Sequence, residues 1–439
     1  MMEWYGAFAI LLGSLFALML LSVPVAFAFL GVNLIGAWLF MGGEIGLGQL
    51  VRNSIQSVNS FSLTPIPLFV LMGEVLFHTG VAYRAINAVE RLIARVPGRL
   101  SIVSVLGGTV FATLSGSSIA NTAMMGGTML PEMLKRGYAP AIAMGPIMAV
   151  GGIAMLIPPS ALAVMLGSLA GIPISQLLIG GIVPGLLMTV LFLAWVIVRC
   201  KITPGLIPAE EAGDFVRGWA RWRPFCVDVL PLFGIFIAVV GSMLMGWASP
   251  TESAAIGALA SVLATVGYRA FSWRTLYQAM MATARVSVII LFVMVASTTF
   301  SQLLSFSGAT SGMLRLIGQY DWSPLALVAG MLVIILIMGM VIEQISMMMI
   351  TLPFFMPLAN AAGVDPVWLG VMLLLAMEIG LLTPPFGLLC MVMQSIAPKH
   401  IRLTQIYASV VPFIVMEILM LGLILFAPWL ATSLPGLIQ

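Results

Sequence analysis

Two stretches decide the reading of this chain: LIPPSALAVMLG at 156–167 and EIGLLTPPFGLL at 378–389. Each sets an adjacent pair of prolines inside a long apolar run. Proline has no N–H, so it cannot bond the carbonyl four residues earlier. Pro158 and Pro159 therefore free the carbonyls of Ala154 and Met155, and Pro384 and Pro385 free those of Gly380 and Leu381. In an apolar medium a freed carbonyl needs a partner. A cation held by neutral oxygens, for which sodium is suited, is one such partner. Water or a hydroxyl at a simple kink is another.

The two stretches are copies of one another. A shift of 226 positions places Pro24 on Pro250, Pro131 on Pro357, Gly137 on Gly363, Pro140 on Pro366 and Pro158-Pro159 on Pro384-Pro385. Over 129–166 against 355–392 no gap is needed, and 9 of 38 positions are identical. That identity is weak. The shared prolines and glycines carry the argument, because they fix backbone shape. The repeat also favours a cation at both breaks over two unrelated kinks.

Composition sets the medium. Of 439 residues, 61% are hydrophobic and 8% charged, with mean hydropathy +1.16. An ordinary soluble domain carries about 25% charged residues. Disorder, coiled coil, nucleic-acid binding and a cytosolic enzyme are all disfavoured. The long unalternating apolar runs also exclude a membrane barrel. The chain reads as an all-α polytopic membrane protein. The net charge of +3 points to no polyanionic partner. Cys200, Cys226 and Cys390 form no CxxC pair, and His78 and His400 are too few for a histidine metal centre. The 33 methionines read as apolar packing. The N-terminus lacks the basic start of a signal peptide and reads as a retained first span.

A span needs roughly 20 apolar residues. Candidates lie at about 5–22, 24–41, 61–79, 139–170, 175–199, 227–247, 250–268, 286–305, 366–397 and 405–431. Two more apolar regions, about 101–134 and 324–360, are broken by LSGSSIANT (114–122) and IEQIS (342–346). If each is a re-entrant hairpin, each half holds five spans. An odd number makes the halves inverted repeats. With both termini outside, 16 Lys and Arg fall inside and only Arg52 and Arg315 outside, which satisfies the positive-inside rule. The expected plan is a first repeat at 1–200, an interfacial linker at 201–226 and a second repeat at 227–439. Segments 80–98 and 306–320 read as amphipathic surface arms, and the Arg- and Trp-rich linker as a helix lying at the interface.

The polar breaks are the candidate sites. Ser115, Gly116, Ser117, Ser118, Asn121 and Thr122 can coordinate sodium, and the following half-helix can face an anion with its N-terminus. Small residues packed for close helix approach are the structural alternative, and that reading suits Thr109 and Thr128. Ionisable residues within the membrane are functional candidates by default. Here they are Glu74, Glu252, Glu343, Glu378 and Glu417. Glu343 sits on the second tip and Glu378 beside the second break. The structural alternatives are a hairpin hydrogen bond for Glu343, a helix cap for Glu252 and interhelical bonds for Glu74 and Glu417. No Walker motif, GxSxG, HExxH or paired catalytic carboxylate occurs, so neither ATP-driven transport nor an intramembrane enzyme has support.

LSGSSIANTAMMGGTMLPEMLKRGYAP (114–140), SQLLIGGIVPGLL (175–187), SPTESAA (249–255), GMVIEQISMMMITLPFFMP (339–357) and GVDPVWLGV (363–371), with the two opening stretches, resemble one family. It is the large membrane permease subunit of tripartite ATP-independent periplasmic (TRAP) transporters. The resemblance runs through most of the chain in family order. It implies an elevator-type secondary transporter of the bacterial inner membrane, driven by sodium. A periplasmic substrate-binding protein would deliver an organic acid anion, and a separate small four-helix membrane subunit would complete the permease. No cofactor beyond the coupling ions is implied.

The resemblance carries two cation sites onto this chain. The first comprises Ser115, Ser117, Ser118, Ala154, Ile157 and Pro158; the second Gly339, Glu343, Glu378, Gly380 and Thr383. Family members often carry Asp where this chain has Glu343, and Asn near 378. The expected mechanism moves a transport domain, about 100–172 plus 323–398, against a scaffold formed by the rest. The substrate carboxylate would bind near Ser117, Asn121, Thr122 and Thr383. The alternative is a stand-alone proton- or sodium-coupled anion carrier of related fold, with Glu343 and Glu378 as proton sites.

Overall fold

The computed structural model describes residues 3–93, 96, 98–115, 117–208, 218–320 and 322–437, without the side chains of 82, 83 and 111–115. Among the described residues there is helix and turn but no strand. The first half runs α1 (Trp4–Leu20), α2 (Val25–Phe40), α3 (Glu44–Val58), α4 (Pro65–His78), α5 (Val81–Leu92), α6 (Arg99–Ser115), α7 (Ser118–Lys135), α8 (Pro140–Leu156), α9 (Ala161–Ala170), α10 (Ile174–Gly180) and α11 (Ile182–Ile202). The second runs α12 (Trp219–Pro224), α13 (Leu230–Leu244), α14 (Pro250–Gly267), α15 (Trp273–Phe306), α16 (Ala309–Gly318), α17 (Pro324–Gly339), α18 (Gln344–Ala361), α19 (Pro366–Leu382), α20 (Leu388–Ile396), α21 (Leu403–Phe426) and α22 (Trp429–Thr432).

The 226-residue shift read from the prolines reappears in the helix boundaries. It carries 118–135 onto 344–361 and 140–156 onto 366–382, which are the limits of α7 and α18 and of α8 and α19. The cause is local. Pro140 and Pro366 each occupy a first-turn position, where the missing N–H costs no helical bond. Pro158-Pro159 and Pro384-Pro385 end the same helices, and both pairs contain a cis bond.

Among the described residues, six helical segments are each long and apolar enough to cross a membrane: Phe61–His78, Ile174–Ile202, Trp219–Leu244, Trp273–Phe306, Gln344–Ala361 and Leu403–Phe426. The pair α8–α9, bent by 45° at its break, makes a seventh if taken as one span. The protein is a multi-pass membrane protein. Three features differ from the sequence expectation. The linker's Trp219–Pro224 helix is no separate surface helix; it runs through a π-turn at Phe225–Val229 into α13. The span expected at 286–305 is the second part of a 34-residue helix beginning at Trp273. The helix α3 was not read at all, because its sequence EIGLGQLVRNSIQSV is too polar for a span. It packs on α2 and α15, where Asn53 donates to Gln302 and Ser57 meets Thr298 at 2.6 Å. The linker residues 209–217 lie outside the described set.

Two helices form the centre. Every residue of α8 from Ile142 to Leu156 is buried, and so is every residue of α19 from Val367 to Leu382. Around α8 pack α6, α7, α11, α19 and α21, while α17, α18, α20 and α21 pack on α19. A second layer forms where α4 packs on α14 and α15, and α2 on α15. The arm α5 follows α4 after a turn at Gly80, whose φ of +72° suits glycine. It reaches the base of the first hairpin, where Arg136 meets Glu90 at 3.1 Å and Glu132 at 2.7 Å.

Candidate functional site: two hairpin tips joined by a buried carboxyl

The first tip joins α6 to α7. Ser117 caps α7, its hydroxyl accepting from the Ala120 amide at 3.2 Å. Ser118 is buried one position on. Its hydroxyl lies 2.9 Å from Glu378 Oε2, to which it donates, and 3.3 Å from the Gly151 carbonyl. Asn121 and Thr122 are fully buried in the next turn, and none of their side-chain polar atoms has a hydrogen-bond partner. Buried polar groups are normally paired. Both side chains are exceptions to that rule among the described residues. Of the remaining expected residues, the Ser115 side chain and Gly116 fall outside the described set.

The second tip joins α17 to α18. Glu343 caps α18: Oε1 accepts from the Ser346 amide at 3.1 Å and its hydroxyl at 2.7 Å, and Oε2 accepts from the Ile345 amide at 3.3 Å. This is the hairpin hydrogen bond that the sequence left open. A carboxylate at a helix N-terminus is also favourably placed against the helix dipole. The next residue, Gln344, is buried and donates to Glu378 Oε2 at 2.6 Å.

Glu378 thus joins the two tips. It projects from α19, is fully buried, and receives Ser118 from one tip and Gln344 from the other. Oε1 has no partner. Gly151 makes room for it: a Cβ there would overlap Glu378 Oε1 and sit 2.8 Å from Ser118 Cβ. Its neighbour Gly152 does the same for a second carboxyl, since a Cβ there would lie 2.7 Å from Glu417 Oε1. Glu417 on α21 is fully buried, and neither oxygen has a partner. Two buried carboxyl groups, one from α19 and one from α21, therefore pack against one glycine pair of α8.

The breaks flank this core. At the first, the Ile157 amide turns back to Ile153 at 2.9 Å, and Pro158 offers Ala154 no helical donor. At the second, the Thr383 amide reaches the Gly380 carbonyl at 3.1 Å, so that carbonyl is not left wholly free as the proline rule alone implies. The Thr383 hydroxyl donates to the Ile379 carbonyl at 2.6 Å. Gly339 and Gly380, expected in one site, do meet. A Cβ on Gly339 would stand 2.6 Å from Gly380 Cα, so the backbones of α17 and α19 touch.

A cavity of about 280 Å³ opens beside the tips. Ser117 and Ala120 line it from the first tip, Glu343 and Gln344 from the second, Glu74 from α4 and Ile290 from α15. No Lys or Arg is among the described residues that line it. Asn121, Thr122 and Thr383 are not on this wall either. Glu74 pairs with His78 one turn along its own helix at 3.2 Å rather than with another helix. Glu252 forms a capping box with Ser249 at 2.7 Å and serves the start of α14. Thr109 and Thr128 bond back to carbonyls one turn earlier. Sequence reasoning marks Gln344 only as a tip residue and Glu74 and Glu417 only as intramembrane carboxyls, and it does not single out Gly151 at all.

Residues 12–430 match the family described as "Tripartite ATP-independent periplasmic transporter, DctM component". The chain belongs to the DctM family. Among relatives of this DctM-family chain is the 2,3-diketo-L-gulonate TRAP transporter large permease protein YiaN of Escherichia coli, 30% identical over 96% of this chain and 97% of that protein. The ectoine TRAP transporter large permease protein TeaC of Halomonas elongata is 28% identical over 98% and 99%. Two solved structures share the fold. The Alcanivorax borkumensis YdaH transporter superposes with TM-score 0.63 at 15% identity, covering 90% of each chain. MtrF of Neisseria gonorrhoeae superposes with TM-score 0.64 at 12% identity, covering 92% of this DctM-family chain and 94% of its own.

Proposed function

We propose that this chain is the transport-performing permease of a TRAP importer of the bacterial inner membrane. A periplasmic binding protein delivers an organic acid anion, a small four-helix subunit completes the permease, and sodium drives uptake. The relatives named for diketogulonate and ectoine permeases support solute transport; which acid is carried here is a matter for the binding protein. Both termini lie on the periplasmic side in this reading, and the two halves are inverted repeats.

The observation that carries the reading is the joining of the two tips through Glu378, with Ser118 at 2.9 Å and Gln344 at 2.6 Å, beside a cavity facing α4 and α15. A body made of both hairpins and both broken helices, about 100–172 plus 323–398, moves as a unit because its halves are tied at that point. The remainder is the scaffold.

Electrostatics supports a coupling cation. Among the described residues, the cavity wall presents the carboxyls of Glu74 and Glu343 and no Lys or Arg. An anionic substrate entering such a wall needs positive charge brought with it. Sodium ions held by Ser117, Ser118, Ala154, Ile157 and Pro158 at one tip–break pair, and by Gly339, Glu343, Gly380 and Thr383 at the other, supply it. The Ser115 backbone belongs to the first set. The structure turns Glu378 toward Ser118 and Gln344, so its role in this reading is to lock the tips together. The substrate carboxylate is held from Ser117, with Asn121, Thr122 and Thr383 one layer deeper. The membrane potential contributes about 2.3 kcal/mol per charge per 100 mV.

The test is uptake into liposomes holding this chain, the small subunit and the binding protein. Uptake is expected only with an inward sodium gradient; equal uptake with sodium replaced by choline on both sides would sink the coupling. Uptake by this chain alone, driven by a proton gradient, would favour the stand-alone carrier instead.

A further inference from the structure

We propose that the arm α5 and the start of the second half form a binding site for the headgroup of an anionic phospholipid. A cavity of about 480 Å³ lies between them, open to the surface. On one wall Arg84, Asn87 and Arg91 follow each other along one face of α5. The opposite wall carries Arg223, Val227 and Asp228 from α12 and the π-turn. Three guanidiniums thus face one carboxylate.

None of Arg84, Arg91 and Arg223 forms an ion pair among the described residues; the paired arginine nearby is Arg136. Arg84 lies over the Tyr268 ring, 5.8 Å from its centroid. Three unpaired guanidiniums held in one cavity repel each other, and a phosphate, which accepts forked hydrogen bonds from arginine, relieves this. The two walls are also pinned together. Arg221 donates to the Leu92 carbonyl at 2.9 Å through Nε, closing the end of α5 onto α12.

The surroundings identify the anion as a lipid. The cavity sits where α12 passes into the apolar helix α13, at the mouth of a span. Trp219 and Trp222 beside it are 70% and 50% exposed, as aromatic residues of a membrane interface are. From the cavity an exposed apolar stripe runs from Val227 in the π-turn down α13 through Leu230, Phe233 and Ile237. A soluble phosphate has no use for that stripe, whereas an acyl chain lies along it. Basic pockets at this depth of a membrane protein suit acidic headgroups.

The experiment uses the full chain purified in neutral detergent. Thermal stability and retained lipid, read by native mass spectrometry, are followed on adding phosphatidylglycerol, phosphatidylcholine or inorganic phosphate. Phosphatidylglycerol is expected to bind and raise the melting temperature, and the other two to leave it unchanged. Each Arg→Gln change at 84, 91 or 223 is expected to weaken phosphatidylglycerol binding about fivefold, and Arg223→Lys to keep most of it. Equal binding of phosphatidylcholine overturns the proposal, as does a triple Arg→Gln variant that binds phosphatidylglycerol like the wild type. Protection by inorganic phosphate alone overturns the assignment to a lipid. The wild-type comparison stands even if the triple variant does not fold.

Discussion

Replacing Gly151 by alanine tests whether Glu378 joins the hairpin tips. The added methyl would overlap Glu378 Oε1 and sit 2.8 Å from Ser118 Cβ, where ordinary contact is 3.4–4 Å. The helix α8 is buried along its whole facing length and cannot retreat, so the Glu378 side chain has to move. Moving it breaks the 2.9 Å bond from Ser118, the 2.6 Å bond from Gln344, or both. Overpacking costs about 1–3 kcal/mol. One donor left buried and unpaired costs about 1–3 kcal/mol more. Together these place the destabilisation at about 2–6 kcal/mol. The assay pairs thermal unfolding with sodium-driven uptake in liposomes. Gly151→Ala is expected to lower the melting temperature clearly and reduce the uptake rate by about three- to thirtyfold, one decade per 1.4 kcal/mol with about a third of the loss reaching the rate-limiting step. Combining it with Glu378→Ala removes the overlap with the carboxyl but not the 2.8 Å approach to Ser118 Cβ; stability should then recover in part while uptake stays low. A Gly151→Ala variant with wild-type melting temperature and uptake would falsify the joint. So would full recovery of uptake in the double variant.

Other changes separate structural from functional roles. Asn121→Leu and Thr122→Val remove buried polar atoms that have no internal partner, so thermal stability should hold or rise while uptake falls; a loss of stability with uptake intact would mean they serve packing. Glu343→Asn keeps a good cap on α18 and should hold its stability, whereas Glu343→Ala should cost about 1 kcal/mol, and both should raise the sodium concentration needed for half-maximal uptake. Unchanged sodium dependence would remove Glu343 from the ion site. Gly380→Ala meets the Gly339 backbone at 2.5 Å, which cannot rotate away as a side chain can, so little folded protein is expected in a fluorescence-detected size-exclusion profile; a wild-type peak would contradict the close crossing of α17 and α19. Glu252→Ala removes an exposed cap and should lower the melting temperature slightly with no change in the KM of uptake; a raised KM would bring Glu252 into the transport path.

The sequence by itself determined the medium, the helical class and the repeat. Scarce charge requires a membrane setting, and prolines act on their own backbone, so the limits of α7 and α8 recur 226 residues later in α18 and α19. It also marked the two tips, because serines, Asn121 and Glu343 interrupt apolar runs. What it left undecided at Glu343 was local, and the cap on α18 resolved it. The rest needed the tertiary structure. Ser118 and Glu378 are 260 positions apart, and no spacing rule links a serine on one hairpin to a carboxyl in the other half. Gly151 and Gly152 read as ordinary helix glycines until α19 and α21 close on them. Glu417 looked like a candidate for an interhelical bond and proved buried without a partner. Charge patterning groups most of the arginines on one expected side of the membrane; only the packing of α5 against α12 puts Arg84, Arg91 and Arg223 around one cavity. Backbone chemistry acts over a few residues and is written in order along the chain. The contacts that make the site come from different halves, and only folding sets their distances.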